Sequence, residues 1–259
     1  MSKSSQKKKG RAAGAPKSTA DGRPREPERV RSRLFLVTDP AAEPEAAAAA
    51  LAEALAGGDV AAVLISATGS DEAAYQRLAE RLAPLAQGAG AAAIVVEDTR
   101  AAGRAKADGV HMQFSGRRDG GEEEHEDLAA RDIRAAIERF HPDQIVGVGN
   151  IRDRHDAMSA AEDGCDYVFF GLLDLAPGEE VHPKTLAFAE WWAEVFEIPC
   201  VALAGTSLAS VADVAETGAD FIAVREAVWS HPEGPRAAVA EANRLIDAVF
   251  ASADGTSPA

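Results

Sequence analysis

The chain is poor in sulfur and in aromatic side chains, and it has no long apolar stretch. Its two cysteines, Cys165 and Cys200, stand apart with no Cys-x-x-Cys spacing, which reads as two buried thiols in a reducing compartment rather than a disulfide or a metal site. No apolar run approaches the roughly 20 residues that a membrane-crossing helix needs, and the Met1 end lacks the apolar centre of a secretory signal. A cytoplasmic protein with no membrane partner is expected. There is no His-Glu-x-x-His, no Gly-x-Ser-x-Gly and no Walker-type loop, so zinc hydrolysis, α/β-hydrolase chemistry and P-loop nucleotide hydrolysis lack support.

Positive charge is also scarce once the first 33 residues are passed. Residues 34–259 carry 16 Lys and Arg against 39 Asp and Glu, a balance of −23. Such a body repels phosphate backbones, so nucleic acid is not expected as its partner. Residues 1–33 are the opposite, with 11 basic residues, 3 acidic ones and little apolar content. That composition predicts a disordered basic arm. No aromatic side chain is interleaved with its cations to stack on bases, so a solubilising tail is favoured over a nucleic-acid tether. A second disordered stretch is expected over 252–259.

Eight short apolar runs fill the region between. They are Leu34–Thr38, Val60–Ile65, Ala92–Val96, Gly109–Met112, Gln144–Val148, Asp166–Phe170, Cys200–Ala204 and Asp220–Val224. Each is too short for a helix and continuously apolar, as strands covered on both faces are. Helical patterns separate them, for example Glu45–Ala56 before Gly57-Gly58, Ser70–Gln87, Asp127–Phe140 before Pro142, Asn150–Asp163 before Gly164, Pro183–Phe196, Ser207–Thr217 and Pro235–Phe250. Pro84 is expected to kink the second of these, and at least one of Trp191 and Trp192 to pack on the sheet. Strands joined by helices are parallel. Eight such units over 34–251 make a single-domain α/β protein, a (β/α)8 TIM barrel, whose chemistry belongs on the loops after the strand carboxyl ends. The stretch Gln113–Glu126 reads as a long solvated loop. No sequence feature sets an oligomeric state.

The strand ends supply the candidate site. Glu97 and Asp98 could hold Mg²⁺ through hard oxygen ligands, although Asp98-Thr99 is equally a helix start. The Ala204-Gly205-Thr206-Ser207 turn offers backbone N–H groups at Gly205 and Thr206 for a phosphate. Arg225 adds a guanidinium suited to the same anion, with an Arg225–Glu226 charge pair as the plain alternative. Asp39, Glu97, His111 and Asn150 complete the expected pocket. His111 is either an active-site imidazole or a core histidine.

The segments Leu34-Phe35-Leu36-Val37-Thr38-Asp39, Glu97-Asp98, Ala107–Met112, Ile145–Val148, Gly164–Gly171 and Ile198–Gly205 resemble, in order and spacing, the thiamine phosphate synthase and TenI family. The resemblance covers Leu34 to about Val228. It implies a (β/α)8 fold and the joining of hydroxymethylpyrimidine diphosphate to thiazole phosphate with Mg²⁺, or, in the TenI branch, aromatisation of thiazole phosphate. The chain departs from the family where the chemistry is done. The Gln-x-Arg-x-Lys after the second strand falls on Leu64, Ser66 and Thr68. Glu97 replaces an Asn beside the retained Asp98, and the second metal carboxylate falls near Gly116. A Ser after the fifth strand becomes Gly149, and the TenI histidine position is Asn150-Ile151. The Thr-x-Thr-Lys after the sixth becomes Ala176, Gly178 and Glu179, with Lys184 five residues away. Paired glycines become Ala204-Gly205, and Val-Ser after the last strand becomes Arg225-Glu226.

Three expectations follow from the resemblance and its gaps. One is a family member that binds a phosphorylated small molecule with its condensation weakened or lost. Another is an active transferase using displaced ligands such as Lys184, Arg117 or Arg118. The third is a different barrel enzyme acting on a phosphorylated substrate through Asp98, His111 and Arg225.

Overall fold

The computed structural model describes residues 30–38, 43–66, 71–114, 132–176 and 178–253. The chain divides after Val30, and everything below concerns the unit from Arg31 onward. Its strands are β1 (Arg33–Val37), β2 (Val60–Ile65), β3 (Ala92–Val96), β4 (Gly109–Gln113), β5 (Ile145–Gly149), β6 (Tyr167–Phe170), β7 (Cys200–Leu203) and β8 (Phe221–Val224). All neighbours pair in parallel, and β8 returns to β1, with Leu34 opposite Ile222, to close the barrel. The helices are α1 (Pro44–Leu55), α2 (Glu72–Gly88), α3 (Thr99–Ala105), α4 (residues 132–140), α5 (Arg154–Asp163), α6 (Pro183–Val195), α7 (Ser210–Glu216), α8 (Glu226–Trp229) and α9 (Pro235–Ala253). None of the described helices is long and apolar enough to cross a membrane.

The eight expected runs all form strands because alternate residues of each run meet two different cores. Leu34 and Leu36 of β1, Val63 and Ile65 of β2 and Val168 and Phe170 of β6 point outward, under the helices. Phe35 and Val37, Ala62 and Leu64, and Tyr167 and Phe169 fill the barrel interior. Trp192 of α6 is fully buried, stands edge-on to Phe170 with ring centroids 5.9 Å apart, and gives its indole N–H to the Ile198 carbonyl at 2.7 Å. The α2 helix continues through Pro84 to Gly88. Cys165 and Cys200 are free and buried, and burial pushes both thiols up to about 12.

Three expected boundaries shift. Arg31, Ser32 and Arg33, grouped by composition with the basic arm, are tied to the barrel: Arg31 bonds Asp247 at 2.6 Å and the Asn243 side chain at 2.9 Å, Ser32 bonds the Ala219 carbonyl at 2.6 Å, and Arg33 opens β1 against Asp59. Long-range ion pairs of this kind are invisible in a window of sequence. Gln113, placed at the start of a loop, is the last residue of β4. The last helix runs to Ala253. Residues 1–29 of the arm, residues 115–131 (most of the expected Gln113–Glu126 loop and the start of the expected Asp127–Phe140 helix) and the tail from 254 lie outside the described residues.

Candidate active site at the barrel mouth

Two β5 glycines shape the barrel interior. A Cβ on Gly147 would overlap the Tyr167 ring, and one on Gly149 would overlap the His111 imidazole. The space they leave is filled by those two rings. His111 Nδ1 and the Tyr167 hydroxyl are 2.9 Å apart, both groups are sealed from solvent, and Phe169 lies edge-on to the imidazole. Burial without a counter-charge drives the His111 pKa down to about 3, so the ring is neutral at physiological pH. Its Nε2 has no hydrogen-bond partner.

Above this layer opens a cleft of about 780 Å³. It is lined by Glu97, Asp98 and Arg100 after β3, Gln113 at the end of β4 and Phe114 after it, Asn150 after β5, Asp174 after β6, and Ser66, Glu72 and Tyr75 from the β2–α2 connection and helix. Its rim is cross-braced. Thr38 Oγ1 donates to the Ser66 carbonyl at 3.0 Å and accepts from the Ser66 N–H at 2.9 Å, joining the ends of β1 and β2. The Tyr75 hydroxyl sits 2.8 Å from both the Ile65 and Val96 carbonyls and, having one proton, donates to them in turn.

Two non-glycine residues on this cleft hold left-handed backbone, Glu97 with φ 58° and Asn150 with φ 55°. Such conformations cost on the order of 1 kcal/mol or more and persist where surrounding bonds enforce them. Around Glu97 the Asp98 N–H reaches back to the Val96 carbonyl at 2.7 Å, and the Glu97 N–H bonds the His111 carbonyl at 2.9 Å. Asn150 donates its side-chain amide to the Phe114 carbonyl, and its Oδ1 is buried without a partner. Glu97 itself reaches solvent, and the part packed into the cleft raises its pKa through desolvation.

Asp98 caps α3, its Oδ1 accepting from the N–H groups of Arg100 at 2.9 Å and Ala101 at 2.8 Å. The helix-start reading of Asp98-Thr99 is thus realised by one oxygen of the carboxylate. No cluster of three metal-ligating side chains occurs among the described residues. Mg²⁺ takes as few as one or two protein carboxylates alongside water and phosphate oxygens, and Asp98 and Glu97, which with Glu72 and Asp174 are the carboxylates on the cleft, could serve as such ligands.

The residues expected on one mouth are divided by the structure. Glu97, Asp98 and Asn150 line the cleft. His111 is beneath it, sealed among Tyr167 and Phe169. Asp39, Arg117 and Arg118 lie outside the described residues. Gly205, Thr206 and Arg225 sit under the β6–α6 loop and do not line the cleft. Thr206 N–H donates to the Gly178 carbonyl at 2.8 Å, Ser207 N–H to Glu179 at 3.1 Å, and Gly205 N–H to Ser210 Oγ at 2.9 Å. A Cβ on Gly205 would collide with the Glu179 carbonyl. Arg225 is buried, with Nη1 on the Leu173 carbonyl, Nη2 on the Leu175 carbonyl and Nε on the Glu226 carboxylate, each at 2.8 Å. The donors are those expected, but the chain's own oxygens hold them. Lys184 points away from the cleft, its ammonium 5.3 Å over the Phe188 ring.

Sequence reasoning missed Tyr75 and Tyr167, because one lies on a helix and the other inside an apolar run. The Gly-x-Gly of β5 was the available signal for the second, since glycines inside a strand mark the approach of bulky neighbours.

A family model described as thiamine monophosphate synthase matches residues 34–228. A thiamine-phosphate synthase of Rhodospirillum centenum is 41% identical over 217 residues, spanning 83% of this chain and 97% of its own. One from Hyphomonas neptunium is 33% identical, spanning 85% of this chain and 96% of its own. Among solved structures, the thiamine phosphate pyrophosphorylase from Pyrococcus furiosus superposes with a TM-score of 0.66 at 25% identity, over 86% of this chain and 98% of its own. The fold, the strand-end motifs and these matches over most of the chain agree: the chain belongs to the thiamine monophosphate synthase family.

Proposed function

We propose that this barrel binds a phosphorylated small molecule at its mouth and that its capacity to join a pyrimidine diphosphate to a thiazole phosphate is weakened or lost. The observation that carries this reading is the charge of the cleft. Glu72, Glu97, Asp98 and Asp174 line it, and Arg100 is the one Lys or Arg among its described lining residues. A departing diphosphate needs concentrated positive charge, and each charge-assisted contact missing from such a site costs about 2 to 4 kcal/mol of transition-state stabilisation. Mg²⁺ held by Asp98 and Glu97 would supply charge to phosphate oxygens. It would not replace the absent side-chain donors.

The donors for the phosphoryl group are closed off beneath the β6–α6 loop, beside the cleft. The N–H groups of Thr206 and Ser207 and the guanidinium of Arg225 are occupied by carbonyls of the β6–α6 loop. A phosphoryl oxygen is a stronger acceptor than a carbonyl and takes their place when the loop yields.

The test is to titrate the full chain with thiazole phosphate while following the Thr206 and Ser207 amide resonances, and then to assay it with both substrates and Mg²⁺. Saturable movement of those amides, with condensation slower by at least about a thousandfold than an ordinary synthase, is the expected outcome. Production of thiamine phosphate at ordinary rates would overturn the second half of the proposal, and unmoved amides the first. The competing reading, an active synthase with displaced ligands, is favoured by the names of the relatives. The same assay decides between them.

A further inference from the structure

A second cavity, of about 210 Å³, lies between the ends of β6 and β7 and the first turns of α6. It shares no lining residue with the mouth cleft. The β6–α6 loop divides the two: Leu173 and Asp174 face the cleft, whereas Leu175, Ala176, Gly178 and Glu180 face the cavity. The floor is apolar, made by Phe170, Phe188 and Leu203, with the two phenyl rings edge-on at 5.7 Å.

Over this floor stands Arg152. Its Nε is buried and has no hydrogen-bond partner, while the neighbouring Asp156 carboxylate is engaged by the Arg152 backbone N–H at 3.0 Å. An unanswered guanidinium N–H is costly, and no group among the described residues is hydrogen-bonded to this one. Lys184 adds a second cation and Glu180 one anion, and His182 Nδ1 is taken as acceptor by the Lys184 N–H at 3.2 Å. The charged lining therefore sums to about +1, which matches a monoanion better than a phosphate dianion. The Nε is sealed and Arg152 as a whole is only half-buried, so an anion in the cavity meets the guanidinium at its outer Nη fork, which fits the two oxygens of a carboxylate. The volume is below the roughly 300 Å³ at which drug-sized ligands begin to fit.

We infer that this cavity is a second small-molecule site, and that it takes a small monocarboxylate with an aromatic or branched apolar body, the carboxylate on Arg152 and the apolar body on Phe170, Phe188 and Leu203. It is separate from the mouth cleft, and none of its lining residues is one on which the function proposed there rests. Occupation would press on the loop whose other side lines the cleft.

The experiment is a titration of the isotope-labelled full chain with benzoate, read from backbone amide resonances, with benzyl alcohol and inorganic phosphate in parallel. Expected are saturable shifts at Leu172, Thr185, Phe188 and Ala204, absent with benzyl alcohol and weaker with phosphate. Arg152→Gln should weaken benzoate binding about tenfold or more, as loss of a charge-assisted contact requires. Shifts centred on Ser66, Glu97 and Gln113 would place the ligand in the mouth and overturn the inference. So would shifts that grow linearly without saturating, or equal responses to benzoate and benzyl alcohol or to benzoate and phosphate. The resonance map needs no variant, so a misfolded Arg152→Gln chain leaves the test standing.

Discussion

Thr206 donates its backbone N–H to the carbonyl of Gly178, 28 positions earlier, over 2.8 Å. With the parallel bond from Ser207 to Glu179 at 3.1 Å, it docks the β6–α6 loop on the turn after β7. An amide pair that in many barrels greets an anion here greets the chain itself.

That docking requires Gly205. A methyl group there would strike the Glu179 carbonyl, a backbone atom that cannot swing aside. Gly205→Ala should expel residues 178–180, raise hydrogen exchange at the Thr206 and Ser207 amides, and destabilise the fold by about 1 to 3 kcal/mol in urea. Unchanged exchange at those amides would contradict the docking.

Arg225 should behave as a brace before it behaves as a ligand. Its guanidinium satisfies the carbonyls of Leu173 and Leu175 and the Glu226 carboxylate from a nearly closed position. Arg225→Met leaves two carbonyls and one carboxylate without their donor, and should cost about 2 to 4 kcal/mol of stability. Chemical denaturation of the variant measures it. Full stability with phosphate-ester binding lost would make Arg225 a ligand alone.

His111 sets a pH dependence. Its folded-state pKa of about 3 lies below the ordinary histidine value, so the unfolded chain binds the proton first. Its contribution to stability is fully present above about pH 6.5 and is lost as pH falls toward the folded value, by about 1.4 kcal/mol per pH unit in that window. Glu97 has the opposite sign, its raised pKa favouring the folded state as pH falls. Comparison of the chain with His111→Gln isolates the imidazole. The variant should show a flatter stability profile between pH 6.5 and 4, and an identical profile would refute the assignment.

Both thiols should be inert in the folded state. Cys165 and Cys200 are buried and their pKa values stand near 12, which leaves almost no thiolate at pH 8. A colorimetric thiol reagent should find neither in native buffer and both in denaturant. Rapid labelling of either in the native chain would show that its strand opens.

Strands and barrel were legible in the residues because the information is local. A run such as Val60–Ile65 is apolar at every position, and only a strand with a core on each side uses that pattern. Family membership was equally local, carried by strand-end segments such as Ala107–Met112. The candidate carboxylates Glu97 and Asp98 were found the same way, as polar residues where an apolar run stops.

What the sequence left open was which partner each polar group meets. His111 gives no sign of its tautomer, its Tyr167 neighbour or its burial, because Tyr167 is 56 positions away and the glycines that admit both rings belong to a third strand. Arg225 reads as a free cation until the loop 50 residues earlier is laid across it. The amino-acid sequence determined a parallel barrel with an acidic body, since periodicity and charge are properties of neighbours along the chain. The tertiary structure alone decided which donors stay open and which are answered, since hydrogen bonds form between groups that only closure of the barrel brings within 3 Å.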